Sequence, residues 1–581
     1  MDEHVAYELS KLDSAVHFRA STSHVHHTWA KTFQSRPELY LRPQSLEEIQ
    51  KIITLARRCR KRLVVVGCGH SPSDLTCTSS WMINLDQYSK VLNVDLTKNT
   101  LTVEGGIRLR DLNLAANRYG LTMPNLGSID EQSIAGAIAT ATHGSSLKHG
   151  LMSESVKSLR IVLSNGSAVR CSAEQNTDLF RAALVSLGAL GIIVEIEYQM
   201  IPACNIEWEQ TLRPLSDVLS DWDKDLWTQK EYTRVWWLPY MKRAIVWSAT
   251  KTDHPIRQAE SNWYGGSVGF HTYHILLWLS NYLPRILPTV EWFVFGMQYG
   301  FSDHSVSSAV EPLRTGLLMN CLYSQFVNEW ALPLSKGPEA ITRLSAWING
   351  DEVASRIPFS SRNLYVHAPV EVRVSDASRN ELRPYLDNTN PDGPTLYLNA
   401  TLYRPYLQDP PCKDRYYEAF EWLMRDLGGK PHWAKNFSYT SQPEIAAMYG
   451  ENLESFLRIR NEVDPEGMFL GEWHRRSIIP ASASNFALEE REVARTKARD
   501  GGQIWVGEIV EKRSGKAVSP SSSDESFSLM HGAEAQASVV LPRDVEEDTQ
   551  GEEEDSKYGS DRRKHGNPRE GVTGTEVFDK M

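Results

Sequence analysis

The run Leu63-Val64-Val65-Val66 is followed at once by Gly67-Cys68-Gly69-His70-Ser71-Pro72. A buried strand ending in Gly-x-Gly lets backbone N–H groups approach a pyrophosphate, because no side chain stands between them. His70 adds an imidazole nucleophile to that turn. The Rossmann fingerprint would need a third glycine and a helix opening behind it, and Pro72 stands where that glycine would be. Taken alone, the pattern reads more often as a polar turn. A second stretch is dense in glycine, small residues and hydroxyls: Gly127-Ser128-Ile129, Ser133-Ile134-Ala135-Gly136 and Thr140-Ala141-Thr142-His143-Gly144. That composition suits a backbone lying against a flat ligand and phosphates; read alone, it is close packing of backbone on backbone. Further on, Val370-Glu371-Val372-Arg373-Val374 alternates apolar and charged residues. On a strand, Glu371 and Arg373 then share one face, which a solvated surface explains as well as a charged pair over a substrate.

The elements that must hold these residues are legible from periodicity. Ser45, with Glu48 three residues on, makes a capping box, and Leu46, Ile49, Ile53 and Ala56 recur at helical spacing over 45–60. Residues 101–103 and 192–196 read as strands and 108–119 as a helix, so the chain to about residue 200 is an α/β or α+β domain. Beyond it Trp and Tyr become frequent, as in Val235-Trp236-Trp237 and Ile245-Val246-Trp247. Strand-like runs dominate there, which predicts a second domain built on a large antiparallel sheet, with a helix over 415–427. Residues 271–300 hold two apolar runs interrupted by Pro284, Arg285, Pro288 and Glu291. No unbroken apolar span of about 20 residues exists, so a buried helical hairpin is the first reading and a patch resting in a membrane interface the second. From about Ala481 the pattern is lost, and runs such as Ser519-Pro520-Ser521-Ser522-Ser523 and Glu552-Glu553-Glu554-Asp555 predict a disordered tail.

The 581 residues exceed one compact core, and a formal net charge of -11 argues against a nucleic-acid binder. Cys59, Cys68, Cys77, Cys171, Cys204, Cys321 and Cys412 form no CxxC pair, which fits free thiols in a reducing compartment. The opening MDEHVAYELSKLD has no apolar core of a secretory signal, and its acids argue against a cleaved mitochondrial presequence. His24, His26 and His27 lack partner carboxylates at a ligand spacing, so they are read as surface residues and no metal site is expected.

In this order, the stretches 67–75 and 124–146 resemble the vanillyl-alcohol-oxidase family of flavoproteins. That resemblance implies a PCMH-type FAD-binding domain over 36–202, after an N-terminal segment 1–35. It continues through 203–480 as the aldonolactone oxidase group, leaving 481–581 as the tail; the implied fold class is α+β. By resemblance, His70 bonds covalently to the flavin 8α-methyl carbon, which retains FAD and makes it easier to reduce. Gly67, Cys68, Gly69 and Ser71 would line the pyrophosphate. Gly127, Ser128, Ser133, Gly136, Thr142, His143 and Gly144 would contact the rest of FAD, with Ile193 in Leu190-Gly191-Ile192-Ile193 near the nucleotide. The group's Glu-x-Arg and His-Trp-x-Lys motifs are matched by Glu371 with Arg373 and by His432-Trp433-Ala434-Lys435. Arg373 would meet substrate oxygens and flavin charge, while Glu371 and Lys435 share orientation and proton removal. Val463-Asp464-Pro465-Glu466-Gly467-Met468-Phe469 is similar to a segment that ends many flavoprotein oxidases, and His474 after it is either an active-site or a packing residue. Glycine at 127, where the family's plant-type galactonolactone dehydrogenase carries alanine, implies by resemblance an open path for oxygen; otherwise it serves a turn with φ > 0. The implied reaction is oxidation of D-arabinono-1,4-lactone at C2 with oxygen as acceptor, giving hydrogen peroxide on the route to erythroascorbate. The rivals are a broader L-galactono- or L-gulono-lactone oxidase and an inactive flavin-binding, membrane-associated scaffold. The implied location is a mitochondrial membrane, held peripherally through 271–300, and the alternative is the cytoplasm.

Overall fold

The computed structural model describes residues 1–480, except 261, 265, 320 and 368, and the backbone of 493–497 and 504–508. The short strands β1 (Phe33–Ser35) and β2 (Leu39–Leu41) lead into helix α1 (Leu46–Arg58). Ser45 Oγ accepts from the Glu48 N–H at 3.3 Å, but the Glu48 carboxylate reaches back to the Gln44 N–H at 2.9 Å, one residue before the expected partner. α1 buries Ile49, Ile52, Ile53, Leu55 and Ala56 in one apolar cluster with Leu63, Trp81 and Ile83 of β3 (Leu63–Val66) and β4 (Trp81–Asn84). β4 runs parallel between β2 and β3. This packing fixes the end of β3, from which the glycine turn springs.

A second sheet of the first domain uses β5 (Val91–Asp95), β6 (Thr100–Glu104), β7 (Val156–Val162), β8 (Ala168–Ser172) and β9 (Ile192–Gln199) in the order β8-β7-β9-β6-β5, all antiparallel. Helices α2 (Leu109–Asn117) and α3 (Ile134–Ala139) lie between its strands in sequence. The parallel strands are confined to the small sheet, so the domain is α+β.

The second domain contains β10 (Asn205–Pro214), β11 (Tyr232–Leu238), β12 (Arg243–Thr252), α4 (Gly266–Ser280), α5 (Leu287–Tyr299), β13 (Val306–Pro312), β14 (Gln325–Pro333), α6 (Gly337–Ile348), β15 (Val370–Ser375), β16 (Thr395–Tyr403), α7 (Lys413–Asp426) and β17 (Lys430–Pro431). Its strands form one eight-stranded antiparallel sheet, ordered β13-β10-β12-β11-β15-β16-β14-β17. The period of two explains its faces. Val370, Val372, Val374, Leu396, Leu398 and Ala400 join Trp347 of α6 and Phe420 of α7 in one apolar cluster. The alternate residues form the other face. The segment 145–146 of the first domain is pinned to this sheet: Ser146 N–H donates to the Val374 carbonyl, and Thr233 N–H to that of Ser145.

Residues 271–300 do form a helical hairpin, α4 with α5, but it is buried on one side only. Tyr273, Leu277, Val294 and Phe295 are buried, while Ile275, Leu283 and Trp292 are exposed, Trp292 by 52%. Helices that are apolar all round do not reveal in sequence which side faces in. No helix among the described residues is long and apolar enough to cross a membrane. Glu291 of α5 is buried and accepts from the N–H groups of Tyr240 and Met241 at 2.9 and 2.8 Å. Burial pushes its carboxyl up to about 8.

The expected tail needs a correction. Strands β18 (Val493–Lys497) and β19 (Ile504–Glu508) form an antiparallel pair, and β19 runs parallel to β1. Val493, Ile504, Trp505 and Val506 are strand formers that a low-complexity reading passes over. The Ser-rich and acidic runs lie outside the described residues. No disulfide joins the seven cysteines.

Candidate active site

Two cavities share His70 and Gln132 in their walls. The first encloses about 920 Å³, open solvent included, and is lined by Gly67, Cys68, Gly69, Ser71, Ser133, Gly136, Gly191 and Ile193. Its walls are small for a reason. A Cβ on Gly67 would collide with Ser133 Oγ, one on Gly136 would crowd that oxygen at 3.0 Å, and Gly69 holds φ at +67°. Ser128 Oγ and Gln132 Oε1 are buried without a hydrogen-bond partner. A backbone cradle of this kind, opening at a histidine toward polar and charged groups, fits a flavin dinucleotide. The turn is clamped from both directions along the chain: the Pro72 carbonyl accepts from Thr32 Oγ1 at 2.7 Å and from Asn436 Nδ2 at 3.1 Å.

His70 stacks on Trp29, with centroids 4.8 Å apart and planes at 22°. Burial, with help from Arg108 and Lys435, holds its imidazole neutral by pushing its pKa down to about 3. The histidines read as surface residues separate here. His27 is exposed, but His26 is buried, with Nε2 3.0 Å from Thr76 Oγ1, because the N-terminal segment folds back beside the turn. His24 is half-buried and stacks on Tyr40 at 3.6 Å. His474 lines the first cavity rather than the second. Its nitrogens face the Leu187 carbonyl at 2.7 Å and the Gly471 N–H at 3.0 Å, so it ties backbone together.

The second cavity, about 980 Å³ with open solvent, is lined by Gly127, Ser128, Thr142 and His143 from the first domain and by Glu371, Arg373 and Lys435 from the second. Gly144 lines neither cavity; its Cα is packed against the Asn125 side chain. Gly127 has no positive φ, which removes the turn as its reason; a Cβ there would meet Thr142 Cγ2 at 3.1 Å. The charged wall is a line across four strands. Trp236 faces Glu371 in register, Glu371 faces Asn399, and Asn399 faces Glu329. Residues facing each other in antiparallel strands project to one side.

Glu329, absent from the sequence reading, is the centre of this wall. Its side chain is fully buried; Oε1 accepts from Arg373 Nη2 at 2.6 Å and Oε2 from Asn399 Nδ2 at 3.2 Å. His143 Nε2 lies 3.2 Å from Oε1 and Lys435 Nζ 3.7 Å from Oε2. Burial alone would raise this carboxyl, and Arg373, His143 and Lys435 pull it well below the carboxylate range. Arg373 Nε lies 3.4 Å from Glu371 Oε2, while Glu371 Oε1 is buried without a hydrogen-bond partner. Ligand atoms of His143, Glu329 and His432 lie within 4.8 Å of one another, a spacing that suits a metal ion. Arg373 and Lys435 already crowd that carboxylate with positive charge, so the trio is a poor cation site. The sequence did carry a signal for Glu329: an acid within the apolar run Phe326-Val327-Asn328-Glu329-Trp330-Ala331-Leu332. Asn399 and Thr401, polar beside Leu398 and Ala400, carry the same signal.

Residues 37–172 match a family model described as an FAD-binding domain, and 196–477 match that of D-arabinono-1,4-lactone oxidase. The D-arabinono-1,4-lactone oxidase of Yarrowia lipolytica is 42% identical over 515 residues, covering 78% of this chain and 96% of the relative. That of Candida albicans is 36% identical over 551 residues, covering 78% and 97%. A Neurospora crassa relative whose name carries the same activity is 50% identical over 525 residues, covering 86% and 94%. Among solved structures, cholesterol oxidase from Brevibacterium sterolicum superposes with a TM-score of 0.66 at 14% identity, over 81% of this chain and 98% of that one, a likeness of fold alone. The glycine cradle, the eight-stranded sheet behind it and these relatives agree: the chain belongs to the D-arabinono-1,4-lactone oxidase family of FAD-dependent enzymes.

Proposed function

We propose that this protein oxidises D-arabinono-1,4-lactone at C2, with oxygen as the final acceptor and hydrogen peroxide as the second product. The observation that carries the reading is the placement of Glu371, Arg373 and Lys435 in one cavity that meets the glycine cradle at His70. The C2 carbon gives up a hydride and its hydroxyl a proton, leaving the ketone, which tautomerises to the enediol. When bound, FAD would supply the two-electron acceptor for that hydride, with oxygen and two protons as the final sink giving hydrogen peroxide. The protein's own residues do the rest. Arg373, buried and fixed by Glu329, binds lactone oxygens and offsets negative charge as it develops. Glu371 Oε1 has no partner and takes the hydroxyl proton; Lys435 orients the same hydroxyl. Gly67, Cys68, Gly69, Ser71, Ser133, Gly136 and Ile193 would hold FAD, and neutral His70 would be the residue bonded to it. Lactone-dependent peroxide release across a panel of D-arabinono-, L-galactono- and L-gulono-lactones tests this reading. Yellow colour retained in acid-precipitated protein tests the covalent bond. Protein without lactone-dependent peroxide release would be a flavin-binding scaffold.

We further infer that the α4–α5 hairpin rests in a mitochondrial membrane interface. Ile275, Leu279, Tyr282, Leu283 and Trp292 are exposed on it, a set suited to the headgroup region. The choice of organelle rests on the family resemblance. Fractionation decides it: release by carbonate supports peripheral seating, and fully soluble protein in cell extracts removes the claim.

A further inference from the structure

The buried carboxylate of Glu329 takes no direct part in the reaction, yet Arg373, His143, Asn399 and Lys435 all converge on it. A carboxylate stripped of water is costly unless its oxygens are saturated by partners, and leaving one partner out strands the others. Glu329 also joins what the chain keeps apart. His143 comes from the glycine-rich stretch of the first domain, and its ring stacks on Tyr397 with centroids 3.4 Å apart. Tyr397 faces Arg373 in the sheet register. One carboxylate thus touches both the wall that carries the cradle and the cations that face the lactone.

We propose that Glu329 is a positioning residue for lactone oxidation. It pins Arg373 from Oε1 and draws Lys435 toward Oε2, with the His143 ring lying against the same carboxylate, so the cations that face the lactone are set beside the first-domain wall. The proposal rests on the reading that Arg373 meets the lactone. An unpinned guanidinium swings toward Glu371, its remaining anionic neighbour at 3.4 Å, and leaves the geometry that the reaction needs. A misplacement of 1 Å costs about 10²-fold in rate.

The test is a double-variant cycle on the FAD-loaded full chain: Glu329→Gln, Arg373→Lys and both together. FAD per chain is read by absorbance, and kcat and KM are measured for D-arabinono-1,4-lactone. Glu329→Gln is expected to keep its FAD and to lose about 10²-fold in kcat/KM. The double variant should fall well short of the product of the two single losses, because the share of the Glu329 effect that runs through Arg373 is already gone. Losses that multiply, or a Glu329→Gln protein with unchanged kcat/KM, overturn the proposal. Should Arg373→Lys by itself behave as the parent, the reading of Arg373 fails and takes this proposal with it. If Glu329→Gln does not fold, Glu329→Asp takes its place in the cycle under the same criteria, since it keeps the charge but withdraws it by one methylene.

Discussion

The turn at 67–71 and the line Trp236–Glu371–Asn399, which ends on the buried Glu329, stand at adjoining cavities and are built by opposite means. The turn is contiguous in sequence, works through its backbone, and tolerates almost no added atom: a Cβ on Gly67 would strike Ser133. The line takes one residue from each of four strands and works through charge. A backbone site is damaged by gaining bulk, whereas a charge site is damaged by losing a partner. Substitutions should therefore separate cofactor retention from turnover.

The sharpest separation is expected at His70. His70→Ala should abolish attached FAD, so that the intact mass of the denatured protein equals the bare chain, while the cradle still binds FAD reversibly. Parent protein with the bare mass would instead make His70 a turn residue. Next in size, Arg373→Ala should lower kcat/KM by about 10²–10³ with FAD content unchanged, as for the loss of one fixed donor to developing charge. Loss of FAD in parallel would break the comparison, because the line would then be holding cofactor. Gly127→Ala probes the seam between the regions, where the new methyl would stand 3.1 Å from Thr142 Cγ2. Stopped-flow traces should show the oxygen half-reaction slowed about tenfold, some 1.4 kcal/mol of barrier, with reduction by lactone slowed less. Equal slowing would return Gly127 to a packing role.

The smallest effect lies outside both regions. Burial raises Glu291 from an ordinary 4.5 to about 8 in the folded chain. Its contribution to stability is complete below pH 4.5 and is lost as pH rises through 8, because ionising it in place is unfavourable. Glu291→Gln keeps an acceptor for Tyr240 and Met241 and removes that loss. Its melting temperature should equal the parent's at pH 4 and exceed it by about 2 °C at pH 9. A gap that does not change with pH would show that Glu291 does not titrate across this window.

The same contrast explains what the sequence revealed. Gly67 to Ser71 are consecutive, so a short family motif could single them out, although alone they read as a polar turn. Glu371 and Arg373, two apart on one strand, read alone as a solvated face and were singled out through the family's Glu-x-Arg motif. Glu329 was not: its partners come from residues 143, 373, 399 and 435, two on strands of the same sheet and two on loops, and only the folded chain brings them together. The half-buried face of α4–α5 escaped because its helices are apolar on every side, and β18 with β19 because short strands inside a polar tail carry little pattern. The capping box at Ser45 was read correctly in position but not in partner, since Gln44 N–H is also within reach of Glu48.

The clamp on Pro72 sets a timetable. Its donors, Thr32 and Asn436, sit on either side of the turn in sequence, the second 364 residues later. At roughly 5–20 residues per second, a ribosome needs roughly 20–70 s to go from the turn to Asn436. The flavin cradle is thus among the early parts to be made and among the last to be finished. Throughout that interval the turn has the Thr32 side of its clamp and lacks the Asn436 side, which arrives only with the second domain.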